Sequence, residues 1–161
     1  MSQSTEIFKH FLWATKHLTN VLETMSNEVF NQKINDKARS IKEIVLHLIS
    51  TYAYFSSQSE YREIMDKSKK IEKNELINLM KELSKKVYDI FESNPNKIIP
   101  VKTKNGTINE IKGFNLFYMV TDHFAYHRGQ IMIIFKELTG KDGVGTDYAL
   151  YVMEDDPDIV F

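Results

Sequence analysis

The sequence predicts an all-α chain built as a four-helix bundle, on three observations. Apolar residues recur at spacings of three and four in four separate stretches, caps or helix breakers punctuate those stretches, and the chain has no Cys with which to staple a smaller core. Its 161 residues fit a single domain spanning 1–161, and a chain of that size can bury close to ~70% of the surface it exposes when unfolded. Helices that are apolar on one face bury that face best against one another.

Ser4 or Thr5 is placed to cap the first helix, which runs to about Met25 with Phe8, Phe11, Leu12, Leu18, Val21 and Leu22 on one face. His10 and His17 share a face at a spacing of seven, but no other His or carboxylate repeats there, so both read as solvated or partly buried. Ser26 to Lys37 is a polar, irregular connection anchored by Phe30. Ser40-x-x-Glu43 has the form of a capping box, in which hydroxyl and carboxylate each take up an orphan backbone N–H. The second helix starts there and carries Ile41, Ile44, Val45, Leu48, Tyr52 and Phe55 to about Ser57. From Ser59 to Lys73 charge is dense and periodicity weak, which predicts a long or partly helical connection. Asn74 is placed to cap a third helix, apolar from Leu76 to Phe91 and ending before Asn94 and Pro95. Ile98, Ile99 and Val101 then precede Asn105-Gly106, a dipeptide favoured in two-residue hairpin turns, and a small β-hairpin is expected between helices three and four. The fourth helix runs from Gly113 or Asn115 to Leu138 with Gly140 as its stop. The closing segment is glycine-rich, then acidic and apolar, and reads as a tail lying over the bundle.

Within the fourth helix, the stretch VTDHFAYHRGQ places His123 and His127 four residues apart, one above the other on the same face. Val120, Phe124, Ile131, Ile134, Phe135 and Leu138 continue the apolar stripe and turn that face inward. Two imidazoles so placed can close on one metal ion, and the best third ligand is His47, in the middle of the second helix's apolar face. The competing reading is three satisfied core histidines. Glu43, one turn before His47, is either a carboxylate that orients the imidazole or only the capping residue. Gln130 falls on the face of both downstream histidines. Arg128, one of only three Arg among 21 basic residues, offers a rigid fork for carboxylate or phosphate, or a packing salt bridge. Asp147 and Tyr148 in the tail can reach the site if it folds over the bundle, though packing is the simpler role.

Three nitrogen donors without a carboxylate leave a divalent transition metal with open positions, as in catalytic zinc, and do not choose among zinc, nickel and iron. Such an ion lowers the pKa of bound water towards ~7, polarises a carbonyl, or activates an external low-molecular-weight thiol. The expectation is therefore a metal-dependent enzyme with a small-molecule substrate, either a hydrolase or a thiol-dependent transferase. Metal-bound water or thiolate would be the nucleophile, since the chain has neither a Cys nor a Ser in a Gly-x-Ser-x-Gly turn. No general base stands out, because Glu43, Asp122 and Asp147 are each explicable as cap, surface or tail. The alternative is accordingly a non-catalytic metal- or ligand-binding bundle with a structural or stress-response role. With 21 basic against 22 acidic residues and no basic stripe, nothing favours nucleic acid or an anionic membrane. The N-terminus lacks a signal-peptide pattern and no run approaches the ~18 apolar residues of a membrane span, so the chain reads as cytoplasmic. Trp13, Tyr54, Tyr118 and Ile133 exceed a single apolar stripe, and a homodimer through exposed apolar faces is expected.

The stretch SIKEIVLHLIS with its lone His47, followed far downstream by DHFAYHRGQI and by the ending GTDYALY, resembles the DinB superfamily, the DinB/YfiT-like metalloenzymes. The resemblance spans almost the whole chain. It implies a four-helix bundle with a three-histidine metal site, and His47, His123 and His127 fall on those positions. Arg128, Gly129 and Gln130 match the tripeptide that comes next. Proteins grouped there include thiol-cofactor-dependent transferases and isomerases and metal-dependent hydrolases, so the resemblance implies a metal without choosing a reaction.

Overall fold

A computed structural model describes residues 3–102, 105–143 and 148–153. In chain order the elements are α1 (Gln3–Thr24), α2 (Asn27–Asn31), α3 (Ile41–Ser56), a single 3-10 turn (Gln58–Glu60), α4 (Tyr61–Ser68), α5 (Lys73–Ser93), β1 (Ile98–Lys102), β2 (Ile108–Lys112), α6 (Gly113–Thr139) and α7 (Tyr148–Met153). The four amphipathic stretches of the sequence are α1, α3, α5 and α6, which form the bundle: α5 packs on α3 and α1, and α6 on α3, α5 and α1. Where they meet, the core is aromatic. Phe8, Phe11 and Phe91 converge on Phe117, with ring centroids 4.3, 5.3 and 5.6 Å away, and Phe11 also meets Tyr52 and Phe124 at 5.8 and 5.5 Å. Most of these contacts are edge-to-face, the arrangement that the ring quadrupole favours.

The capping box at the start of α3 is present in full. Ser40 Oγ accepts from the Glu43 N–H at 3.2 Å, and Glu43 Oε2 accepts from the Ser40 N–H at 2.8 Å. At the other end of the fourth predicted helix, Gly140 adopts φ 70°, the left-handed conformation that ends a helix at little cost to glycine, and its N–H bonds to Lys136 O.

Several local expectations are corrected. The first helix is already formed at Gln3, ahead of its expected cap, and the side chains of Ser4 and Thr5 lie outside the described residues. The connection from Ser26 to Lys37 contains α2, capped by Ser26 Oγ on the Val29 N–H, which drives Phe30 into the core. The charge-dense region is partly helical as expected: it holds α4, whose Tyr61, Ile64 and Met65 pack on the core. Glu72, rather than Asn74, begins α5 through a reciprocal capping box with Glu75. One residue further on, the Lys73 ammonium donates to the carbonyls of Met25 and Glu23 at 2.5 and 3.1 Å and closes the C-terminus of α1.

The hairpin is antiparallel with Lys102 paired to Ile108. The expected hairpin between the third and fourth long helices is present, and residues 103 and 104 lie outside the described residues. β2 runs directly into α6 through Gly113, where a Cβ would lie 3.2, 3.3 and 3.4 Å from the carbonyl oxygens of Asn94, Pro95 and Lys97. Glycine lets the hairpin close tightly on the end of α5.

Trp13 is 2% exposed. It is covered by Tyr151 of α7, whose ring lies 5.6 Å away and whose hydroxyl donates to Glu6. It therefore cannot belong to an exposed apolar face, because the short helix from the tail buries it. Tyr118 and Ile133 on α6 do remain exposed, and Tyr54 is half-buried. No helix among the described residues is long and apolar enough to cross a membrane.

Replacing Ser40 with Ala removes the hydroxyl half of the α3 capping box and should lower the unfolding free energy by about 1 kcal/mol. Thermal denaturation should show this as a fall in Tm of about 3 °C, the size expected for a chain of this length.

Candidate metal centre

His47 comes from α3, and His123 and His127 from successive turns of α6. The packing of α3 on α6 brings their Nε2 atoms to one point: His123 Nε2 lies 3.1 Å from His47 Nε2 and 3.1 Å from His127 Nε2. Ring centroids are 4.5 to 4.9 Å apart and the planes stand nearly perpendicular, so the rings meet tip to tip instead of stacking. His127 is buried, whereas His47 and His123 are half-buried.

One tautomer is set by its neighbours. Gln130 Nε2 donates to the Tyr126 hydroxyl at 3.1 Å, which turns the amide oxygen Oε1 to His127 Nδ1 at 2.7 Å. An amide oxygen only accepts, so His127 carries its proton on Nδ1 and presents a bare Nε2 lone pair to the cluster. This is the arrangement by which metal-binding histidines are held.

Burial favours the neutral form of His123 and His47. Desolvation first, then the charges that His127 and His47 would carry, push His123 down to about 4, against a weaker upward pull from Asp122. His47 is lowered by desolvation, by His127 and by Arg39. Neutral imidazoles are the ligating form. As imidazoles alone the set is poorly satisfied, since His123 Nδ1 is buried without a partner and one N–H on its Nε2 cannot point at both neighbouring nitrogens. A cation at the common point answers all three Nε2 lone pairs. Together the three residues form a group able to hold a metal ion.

The other candidates divide. Gln130 joins the site directly. Glu43 is committed to its capping box and to an ion pair with Lys33 at 3.0 Å, so capping is the role seen for it. Arg128 lines a separate hollow between α1 and α6, together with Glu6, His10 and Asp122. The half-buried His10 stacks beside Trp13 and Tyr151, and His17 lies against Trp13, both away from the cluster. Asp147 and the Tyr148 side chain lie outside the described residues; α7 itself packs on α1.

Sequence reasoning missed two residues. Tyr126 was legible, because it stands four residues before Gln130 and hence over it on the helix. Arg39 carried no signal, since it sits outside any periodic stretch. Both line a cavity of about 570 Å³ beside the cluster, whose wall also includes His127, Gln130, Ile34, Lys37, Ile44, Ile133 and Ile134.

Fold and site thus define a helical bundle carrying a three-histidine candidate metal centre at the interface of two facing helices. The sequence model of the DinB family matches residues 1–157. The chain belongs to the DinB family. No curated protein and no solved structure matches it.

The lowered pKa of His123 sets a direction for stability in the metal-free protein. Above the unfolded value of 6.5 both states are neutral there, and between 6.5 and about 4 only the unfolded chain takes up the proton, so stability falls with pH across that window. In the presence of a chelator the unfolding midpoint should drop more for wild type than for His123→Ala on going from about pH 7 to about pH 4.5. Equal drops would show that His123 titrates as in the open chain.

Proposed function

We propose that the chain is a metal-dependent enzyme in which His47, His123 and His127 hold one divalent transition metal beside a cavity that admits a small molecule. The observation that carries this is the convergence of three Nε2 atoms with His127 fixed as a ligand by Gln130. Three nitrogen donors leave coordination positions open, the pattern of catalytic rather than structural sites. A divalent ion bound there supplies Lewis acidity, which polarises a carbonyl or makes a coordinated water or small thiol more acidic.

The chain's own residues do the rest. Gln130 keeps the proton of His127 on Nδ1 and so keeps Nε2 available. Ile34, Ile44, Ile133 and Ile134 line the cavity and offer apolar surface to a substrate. With no Cys in the chain, a side-chain thiol nucleophile is ruled out, and the reading narrows to hydrolysis or transfer of an external thiol, on one small-molecule substrate. Two copies associate through the exposed apolar residues of α6, among them Tyr118 and Ile133, with Trp13 taking no part; a monomer mass by light scattering would overturn this.

Elemental analysis of protein purified without a chelating resin should find about one transition-metal ion per chain in wild type and far less in His123→Ala. Equal content in both would remove the centre. Gln130→Ala should weaken metal affinity by roughly tenfold or more, through loss of the hydrogen bond that orients His127, as read by competition with a chromogenic chelator.

A panel of model esters, amides and electrophiles, run with and without added small thiols, separates the reaction classes. A hydrolase cleaves without thiol, a thiol transferase is silent until thiol is added, and a non-catalytic bundle does neither. Either activity should be lost in the His47→Ala, His123→Ala, His127→Ala triple variant.

A further inference from the structure

The cavity beside His127 has a mixed lining. Four isoleucines, Ile34, Ile44, Ile133 and Ile134, share it with two cations, Lys37 and Arg39, and no carboxylate is among the described residues that line it. Both come from the segment between α2 and α3. There Asn35 Oδ1 accepts from the N–H groups of Lys37 and Ala38, each at 3.0 Å, and bends the chain towards the cavity.

Among the described residues neither the Lys37 ammonium nor the Arg39 guanidinium has an ion-pair partner. The carboxylate nearest in sequence to Arg39 on α3, Glu43, is held by Lys33 and the Ser40 N–H. Arg39 nevertheless lies close enough for its charge to be felt at His47. A chain with net charge −1 therefore sets two positive charges, without an ion-pair partner among the described residues, in the lining of one largely aliphatic cavity. Such a field draws anions in, and a guanidinium fork suits an oxyanion.

We infer that the cavity takes a small organic anion, with its apolar body against the isoleucines and a terminal carboxylate or phosphate monoester against Arg39 and Lys37, leaving its other end at the three histidines. This names the substrate class of the proposed enzyme and rests on that reading for its reactive end only. The anion subsite is built from residues that are not metal ligands. Anchoring one end at Arg39 would position the rest of the molecule for reaction, which is how remote charge recognition contributes to orientation.

The test is an NMR titration of the full chain, zinc-loaded and zinc-free, with phenylbutyrate, phenylbutyl phosphate and the neutral phenylbutanol. At least one anion should bind about tenfold or more tightly than the alcohol, the discrimination expected of a hydrogen bond to a charged group. Amide shifts should cluster at residues 34–39 and 126–134. In Arg39→Gln the favoured anion should fall to within about twofold of the alcohol while the alcohol's affinity holds, a split that general unfolding would not produce; Lys37→Gln should give a smaller loss.

The zinc-free arm keeps the two readings apart. An anion preference that survives without zinc, in a protein that takes up no zinc at all, supports this inference and sinks the metal centre. A preference seen only with zinc and unchanged in Arg39→Gln assigns the anion to the metal and overturns the inference. So do equal affinities for anion and alcohol, shifts that map elsewhere, or no saturation by any of the three up to about 10 mM, where binding would be too weak to count as recognition.

Discussion

Three imidazole tips meeting between α3 and α6 is the constraint on which the surrounding structure depends. His123 Nε2 lies 3.1 Å from each of the other two Nε2 atoms, so the helices cannot slide or turn independently: a slip of one residue in α3 would swing His47 about 100° away. The register of α3 is set by the Ser40–Glu43 capping box, seven residues before His47. That of α6 is set at its origin, where Gly113 closes the hairpin onto α5, and along its length by Phe117 and Phe124 locked into the aromatic core. Caps, hairpin and aromatic packing all bear on the same three atoms.

Electrostatics and packing work together at that point. Grouping three titratable rings is tolerable only if they stay neutral, and the apolar faces that build the bundle also supply the desolvation that keeps His123 uncharged. Neutrality in turn leaves lone pairs in need of a partner. Gln130 Oε1 takes the Nδ1–H of His127, which leaves that ring's Nε2 lone pair directed at the point where the three rings meet. The result is an apolar bundle with one local demand for positive charge. Arg39 and Lys37 line the cavity from a loop, and the charge of Arg39 disfavours protonation of His47. The near-neutral total charge hides this division.

The long helices and the three histidines were legible in the sequence because each rests on spacing along one helix or on a local cap. Period 3.6 marks the buried face of α1, α3, α5 and α6, and an i, i+4 pair is adjacent whatever surrounds it. The smaller elements were less so. In α2 and α4 the helices are too short for a period to emerge from charged neighbours, and at Glu72 the capping box uses a carboxylate where Asn74 offered a more usual cap. Asn105-Gly106 marked the hairpin, whereas its register, with Ile99 opposite Ile111 and both packed against the core, is decided by tertiary packing.

What the sequence by itself determined is thus the bundle, the approximate extents of its long helices, and the inward face carrying His123 and His127. Its resemblance to DinB proteins also marked His47. Only the tertiary structure decided that the three Nε2 atoms converge, that Gln130 serves His127 while Arg128 lines a separate hollow, that Trp13 is covered by Tyr151, and that Arg39 lines the cavity beside the site. The reason is one of range. Spacing and capping act over a turn or two of a single helix, whereas these contacts join residues up to 138 positions apart, Trp13 and Tyr151, whose approach depends on how whole elements pack.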